Sequence, residues 1–341
     1  MIKAQEFETL MDVHGVNNCD LQALTEKSKE ISTVWKDYIV DNSEELNFSM
    51  SNDMRFTFTA KTGEQRVDDI SEFAFGQLCA RLGIPASYVK KCFEYGKIDL
   101  ALRNFQEWAG EMTKRILIRE YDGVVHAVLS DSYSKYDSYS VMKTLNNTVD
   151  NKIYQPNQAF LSTDRLHLRY VNFNQLPIED TSPLYAGFTV DSSDVGRGSL
   201  KMQFFLYRSV CTNGMVVSSL GGTLFHQNHM GSKISGGKLE LFNRALCDID
   251  RLSEQAVQLV KKSQGHYLRD YELQMYLKKA ERELKLSEKS QDKLRLLIDS
   301  NYSRNLWGVM NGVTELAQDF TLDTRLQLES WAGELLTEAA A

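Results

Sequence analysis

The segment Arg165-Leu166-His167-Leu168-Arg169-Tyr170 alternates polar and apolar side chains without a break. A strand turns successive side chains to opposite sides, so Arg165, His167 and Arg169 share one face, read as wet and basic, and Leu166, Leu168 and Tyr170 the other. Two more β-rich runs follow: Leu184-Tyr185-Ala186-Gly187-Phe188-Thr189-Val190, closed by the turn-rich stretch 191–198, and Ser199-Leu200-Lys201-Met202-Gln203-Phe204-Phe205-Leu206-Tyr207. In the last, Leu200, Met202, Phe204 and Leu206 face a core, while Lys201, Gln203, Phe205 and Tyr207 share the opposite side. A glycine-dense connection leads to a long helix with the core stripe Phe242, Ala245, Ile249, Leu252, Ala256 and Val260; Arg244, Arg251, Gln255, Gln258 and Lys262 lie outside it. The order is β-β-β-α. The fold class expected is therefore α+β: an antiparallel sheet whose β-β-β-α core packs on the long helix, and a helical C-terminal third.

Upstream, Arg115–Arg119 and Val124–Leu129 flank Asp122-Gly123, a strong short-range hairpin signal. Earlier still, Met54–Ala60 alternates like a strand, a helical pattern from Ile70 stops at Gly83, and another helix starts after Pro85. Downstream, residues 268–298 and Leu306–Leu316 have helical spacing; their Leu and Trp positions read as core and helix contacts, or as an oligomer seam. Three regions are expected: an N-terminal α+β region (1–110), a central hairpin and β-β-β-α core (111–265), and a helical C-terminal region (266–341).

The 341 residues carry 39 Lys and Arg against 46 Asp and Glu, a net charge of −7, with 42% hydrophobic residues. Such a chain can bury a full core without a metal or disulfide staple. Its five cysteines are widely spaced and never in a Cys-x-x-Cys pair, which reads as reduced thiols. No apolar run approaches the roughly 18 residues that span a bilayer, and the acidic first residues argue against a signal peptide. The expectation is a cytoplasmic protein with no membrane contact. Charge is uneven: residues 1–60 hold 5 cations and 11 acids, residues 197–262 hold 9 and 4, and residues 300–341 hold 2 and 6. The basic stretch reads as a surface for phosphates or, more plainly, as a solvated face.

Standard catalytic signatures are absent: there is no phosphate loop, nucleophile elbow or zinc helix. His226-Gln227-Asn228-His229 has a metal-like spacing but no carboxylate or thiol beside it, so polar loop residues are the default and neither metal nor cofactor is expected. Gly196-Arg197-Gly198 precedes a strand and reads as turn chemistry. Basic and aromatic residues remain. Binders of single-stranded nucleic acid combine cations that neutralise phosphates with exposed rings that stack on bases. The candidates are Arg165 and Arg169 on the first strand, Lys201, Phe205 and Tyr207 on the third, and Arg197 in the turn. Lys233 and Lys238 before the long helix, and Arg244 and Arg251 along it, complete the set. Taken singly, each also reads as a solvated or salt-bridged surface residue. Arg208 falls on the apolar side and reads as a structural anchor.

The string Phe205-Leu206-Tyr207-Arg208-Ser209-Val210-Cys211-Thr212-Asn213-Gly214-Met215-Val216-Val217 resembles the signature of a prophage- and plasmid-borne domain family of unknown function. Tyr121-Asp122-Gly123, Ala127–Tyr133 and Leu306–Glu315 are similar to its other landmarks. More distantly, the order from Arg165 to Lys262 is similar to the β-β-β-α core of the phage single-strand annealing recombinases, the Redβ, RecT and Erf class. That resemblance implies ATP-independent binding and annealing of single-stranded DNA by a homo-oligomeric ring or filament in a bacterial host. Two alternatives stand beside it: a factor that binds a host or phage protein, and a metal-dependent nuclease using His226 and His229.

Overall fold

Asp122 and Gly123 have φ of 50° and 82°, the left-handed pair that a tight two-residue hairpin demands. They join β5 (Ile116–Tyr121) to β6 (Val124–Ser130). The computed structural model describes residues 21–41, 45–50, 56–60, 69–179, 183–208, 213–216, 223–227 and 238–338. Ahead of the hairpin come α1 (Leu21–Val34), β1 (Lys36–Val40), β2 (Leu46–Met50), β3 (Phe56–Ala60), β4 (Asp69–Ile70), α2 (Glu72–Arg81), α3 (Ala86–Glu94) and α4 (Ile98–Gly110). β1, β5, β6 and β4 form one sheet in that order, and β2 pairs with β3. The hairpin, which sequence assigns to the central region, thus pairs with strands from before residue 110. It shares their core: Ile116, Ile118, Val125 and Val128 pack with Phe75, Leu78 and Phe105. Ser71 caps α2 through the Ala74 amide, and Gly83 at φ 68° follows its end.

The central section runs α5 (Ser138–Thr148), β7 (Gln155–Leu161), β8 (Leu166–Asn172), β9 (Leu184–Ser192), β10 (Leu200–Arg208), β11 (Asn213–Val216), β12 (Thr223–Gln227) and α6 (Lys238–Gly265). β8, β9 and β10 are an antiparallel meander, continued by β7 on one side and by β11 and β12 along β10 on the other. In chain order β11 and β12 stand between β10 and α6, where the sequence reads a glycine-dense connection, so six strands of this sheet precede the helix and not three; the fold is α+β as its alternation predicts. Phe242, Ala245, Ile249, Leu252, Ala256 and Val260 are all buried, in one core with Leu166, Leu168, Tyr170, Phe188 and Val190.

The C-terminal region is helical: α7 (Asp270–Leu284), α8 (Glu288–Asn301), α9 (Leu306–Leu316) and α10 (Leu322–Glu338). Every residue of α9 except Glu315 is buried, which explains a helix apolar nearly all round. A Cβ on Gly312 would stand 2.9 Å from Ile298 Cγ1, so α8 and α9 approach through that glycine. The Leu306–Glu315 landmark is therefore a packing motif. Arg208 is buried with its guanidinium 5.2 Å from the Tyr302 ring centre, consistent with a structural anchor. The N-terminal sheet is tied to the centre by buried Arg119, which donates to Asp37 (2.8 Å), Asp137 (2.7 Å) and the Asp194 carbonyl (2.6 Å) above the Trp35 ring.

Candidate nucleic-acid interface and the buried polar face

The strand register lays out the side of the central sheet turned away from α6. His167 pairs with Asp191, Asp191 with Lys201, and Lys201 with His226, giving one row across four strands. The next row is Gln158, Arg169, Thr189 and Gln203. Phe205 then lies opposite Gly187, and Tyr207 opposite Tyr185. Alternation places these side chains together, as expected, but the wet face is not there. His167, Arg169, Phe205 and Tyr207 are at most 1% exposed. α10 brings Asp323, Arg325 and Glu329 to this face: Glu329, itself fully buried, accepts two hydrogen bonds from Arg169 and one from Arg325 Nε at 3.0 Å. Phe205 and Tyr207 form a small aromatic cluster with Val171, Phe173 and Tyr185. Phe205 settles over Gly187, where any Cβ would collide with its ring and with the Tyr170 carbonyl. Gly214, from the signature string, sits against both Phe205 and the Arg169 guanidinium. Arg169, Phe205 and Tyr207 are thus corrected from DNA contacts to interior residues, because a helix more than a hundred residues downstream covers them.

The electrostatics of this face follow from its burial. His167 Nδ1 donates to Asp191 Oδ1 at 2.9 Å, while burial, backed by Arg169 and Arg165, holds the imidazole below its ordinary pKa and neutral. Burial pushes the Asp191 carboxyl up, but His167, Arg165 and Lys201 outweigh it and leave the group at about 2. Three atoms of the polar rows are buried with no hydrogen-bond partner among the described residues: His167 Nε2, Arg169 Nε and Thr189 Oγ1.

The remaining expected cations do not gather into a groove. Arg165 is held by Asp191 and Asp323, and Lys201 stands half-buried beside Asp191. Arg197 pairs with Asp164 at 3.2 Å and lies over the Phe73 ring. Arg244 and Arg251 are exposed on α6 but paired with Glu240 and Asp248, and α6 occupies the opposite side of the sheet from Lys201. Lys233 and His229 lie outside the described residues, as does the Lys238 side chain. His226 is exposed beside Lys201, and among the described residues no three His, Cys, Asp or Glu side chains are placed to hold a metal.

Rings and cations do meet on α3 and α4, which sequence reading left aside. On α3 and its C-cap, Tyr88, Lys91 and Tyr95 are spaced three and four residues apart, on one stripe. On α4, Leu100, Asn104 and Trp108 form another, and Asn104 Nδ2 donates to the Tyr88 hydroxyl at 3.0 Å, tying the stripes together. Tyr95 is 70% exposed and Trp108 53%. Lys91, Lys97 and Arg103 are exposed and carry no ion pair among the described residues, as is also true of Lys143, Lys152, Lys261 and Lys262 in the central region, and Glu94, Asp99 and Glu107 stand exposed on the same two helices. The signal was present in the sequence: Tyr88, Tyr95 and Trp108 fall off the apolar stripes Val89, Cys92 and Ala101, Phe105, Ala109 that bury their helices. Rings left outside a complete apolar stripe stand in solvent.

The fold and these surfaces define an α+β protein built on a six-stranded antiparallel sheet with α6 on one face and a helical cover on its polar face. The chain belongs to the family described as a domain of unknown function (DUF932), whose model matches residues 125–328, from β6 into α10 and so beyond α3 and α4. No curated protein and no solved structure matches it. Among the described residues no helix is long and apolar enough to cross a membrane.

Proposed function

We propose that this protein binds single-stranded DNA and promotes annealing of complementary strands, without ATP, in phage or plasmid recombination in the bacterial cytoplasm. The strand runs over α3 and α4, not in a groove on the central sheet. The observation that carries this reading is the set of exposed rings Tyr88, Tyr95 and Trp108 on the same two helices as the exposed cations Lys91, Lys97 and Arg103, which carry no ion pair among the described residues. Such a surface suits a flexible polyanion: every base has a π-face to stack, and the cations follow the phosphates without reading sequence. The β8-β9-β10 meander packed on α6, similar to the β-β-β-α core of the phage annealing recombinases though β11 and β12 intervene in sequence, and the likeness of the 205–217 string to a prophage- and plasmid-borne family support the same reading. Annealing requires many nucleotides to be organised at once, so the working form is a homo-oligomeric ring or filament.

The test is incubation with complementary labelled oligonucleotides, scoring binding, annealing and cleavage together. Stacking contributes roughly 1–3 kcal/mol per base, so Tyr95→Ala or Trp108→Ala is expected to weaken binding by about 5- to 150-fold. Lys201→Glu is expected to leave it nearly unchanged. Wild-type affinity retained in both ring variants overturns the interface. Degradation that depends on added Mg²⁺ or Mn²⁺ overturns the non-enzymatic reading, and recovery of a stoichiometric host protein with no DNA binding replaces it with a protein-binding one.

A further inference from the structure

α7 and α8 are joined by three residues, Lys285 to Ser287, and run antiparallel as a helical hairpin, with Arg295 donating to the Gln274 side chain at 2.8 Å across it. Each helix buries one stripe in the main core: Leu273 and Ala280 on α7, Leu294, Leu297 and Ile298 on α8. At 3.6 residues per turn, Tyr271, Met275, Lys278 and Arg282 fall within about 60° of one another, directly opposite the buried stripe of α7. On α8, Asp292, Leu296 and Asp299 stand opposite its buried stripe in the same way. Tyr271 is 57% exposed, Met275 63% and Leu296 64%. These side chains occupy the outermost positions of the hairpin, where a helix that meets only water carries polar residues.

The two outer stripes carry opposite charge. That of α7 holds the cations Lys278 and Arg282 and no acid; that of α8, with Glu288 and Lys289 at its head, holds three acids and one cation, all exposed. Lys278, Asp292 and Asp299 carry no ion pair among the described residues, and Arg282 pairs only with its neighbour Glu283. The Gln274–Arg295 contact sets the register: Lys278 is level with position 291 of α8, Arg282 with 287, and Leu296 with 273, between Tyr271 and Met275. A two-fold axis along the hairpin, in the plane of its outer face, therefore brings Lys278 to Asp292 of a second copy and Arg282 to its Glu288. Tyr271 and Met275 then close around Leu296 of that copy. The acids of α8 would repel a nucleic acid from the same surface.

We propose that the outer face of the α7–α8 hairpin binds a second copy of this chain, with α7 of each copy lying on α8 of the other. The contact shares no residue with the surface on α3 and α4 and holds whether or not that surface binds DNA. Being two-fold, it closes at two copies and supplies the building unit, not the whole, of a ring or filament.

The experiment is sedimentation velocity of the full chain without DNA, from about 1 to 200 μM, where a monomer is expected to pass reversibly into a dimer. Lys278→Asp and Asp292→Lys each set like charges against one another in both halves of the pair, and each alone is expected to weaken dimerisation at least about tenfold. Mixed one to one, the two variants are expected to dimerise about as strongly as the wild type, since each contact again holds one acid and one cation. Leu296→Glu is expected to weaken the dimer at least about tenfold with an unchanged circular dichroism melt, because the side chain lies outside the core. A wild-type chain that stays monomeric throughout overturns the proposal; if Lys278→Asp then weakens DNA binding, the face belongs to nucleic acid. A dimer that neither Leu296→Glu nor the charge reversals weaken forms through another face and overturns it equally. Charge-reversal variants that stay apart on mixing refute the pairing of α7 with α8.

Discussion

Replacing Glu329 by leucine tests whether the cover over the polar sheet face is held by charge. The carboxylate is fully buried and accepts from both terminal nitrogens of Arg169, one bond at 3.2 Å, and from Arg325 Nε at 3.0 Å. Glu329→Leu leaves the Arg169 guanidinium, 1% exposed, as an uncompensated charge above the Phe205 ring, 5.6 Å from its centre. Breaking a buried pair in this way costs about 3–5 kcal/mol, a large part of the 5–15 kcal/mol that holds a typical fold. With roughly 2–4 °C lost per kcal/mol for a unit of this size, the expected fall in Tm is on the order of 10 °C. The double variant Arg169→Met/Glu329→Leu removes both charges and is expected to recover at least half of the loss, because an apolar pair of similar volume replaces a buried ion pair at little cost. Thermal melts followed by circular dichroism at neutral pH read both. A loss below about 1 kcal/mol in the single variant, or a double variant no better than the single, would refute the reasoning: it would mean that water reaches Arg169 and that α10 does not seal the face.

Three further outcomes are expected. Gly187→Ala drives a methyl group into the Phe205 ring and the Tyr170 carbonyl, and is expected to destabilise by about 1–3 kcal/mol or more; an unchanged urea midpoint would show that the ring does not lie there. Stability should depend on pH through two buried groups acting in opposite senses. Burial, with Asp137 beside it, raises the Asp194 carboxyl to about 7, so its contribution is complete below pH 4 and is lost as pH rises towards 7, whereas His167, held neutral, contributes above pH 6.5 and loses stability as pH falls. Urea unfolding at pH 4 and pH 7 should thus show Asp194→Asn gaining relative stability at pH 7 and His167→Gln at pH 4; the reverse pattern contradicts the burial of either group. Finally, three phosphate contacts by Lys91, Lys97 and Arg103 imply a slope of about −2 in log affinity against log salt, or roughly a 20-fold loss from 50 to 200 mM, and Lys91→Glu should flatten it. A salt-independent affinity counts against the helical interface.

How much of this was legible differs by level. Period-2 alternation in 165–170 and 199–207 correctly separates the two faces of the sheet, because side-chain direction in a strand is a local property. Likewise the 3.6-residue stripe from Phe242 to Val260 reports the side of α6 that is buried. The Asp122-Gly123 turn was readable since its φ demands are met by few residue pairs. Whether a face meets water is not local. Arg169 looks solvated because its own strand, Leu166–Asn172, carries no acid; its partner Glu329 lies 160 residues away, on a helix with its own reasons to be a helix.

The same distinction explains why the signature strings mark the fold and not the residues that bind. Gly214 lies where a side chain would strike Arg169 and Phe205, and Gly312 where α8 and α9 touch. Residues of this kind are fixed by close approach and would recur in any protein with this fold, whatever it binds. Tyr88, Tyr95 and Trp108 have no such constraint: their helices are already anchored by Val89, Cys92, Ala101 and Phe105, and replacing the rings leaves the core intact. Large rings kept outside a complete core are the residues to test for binding.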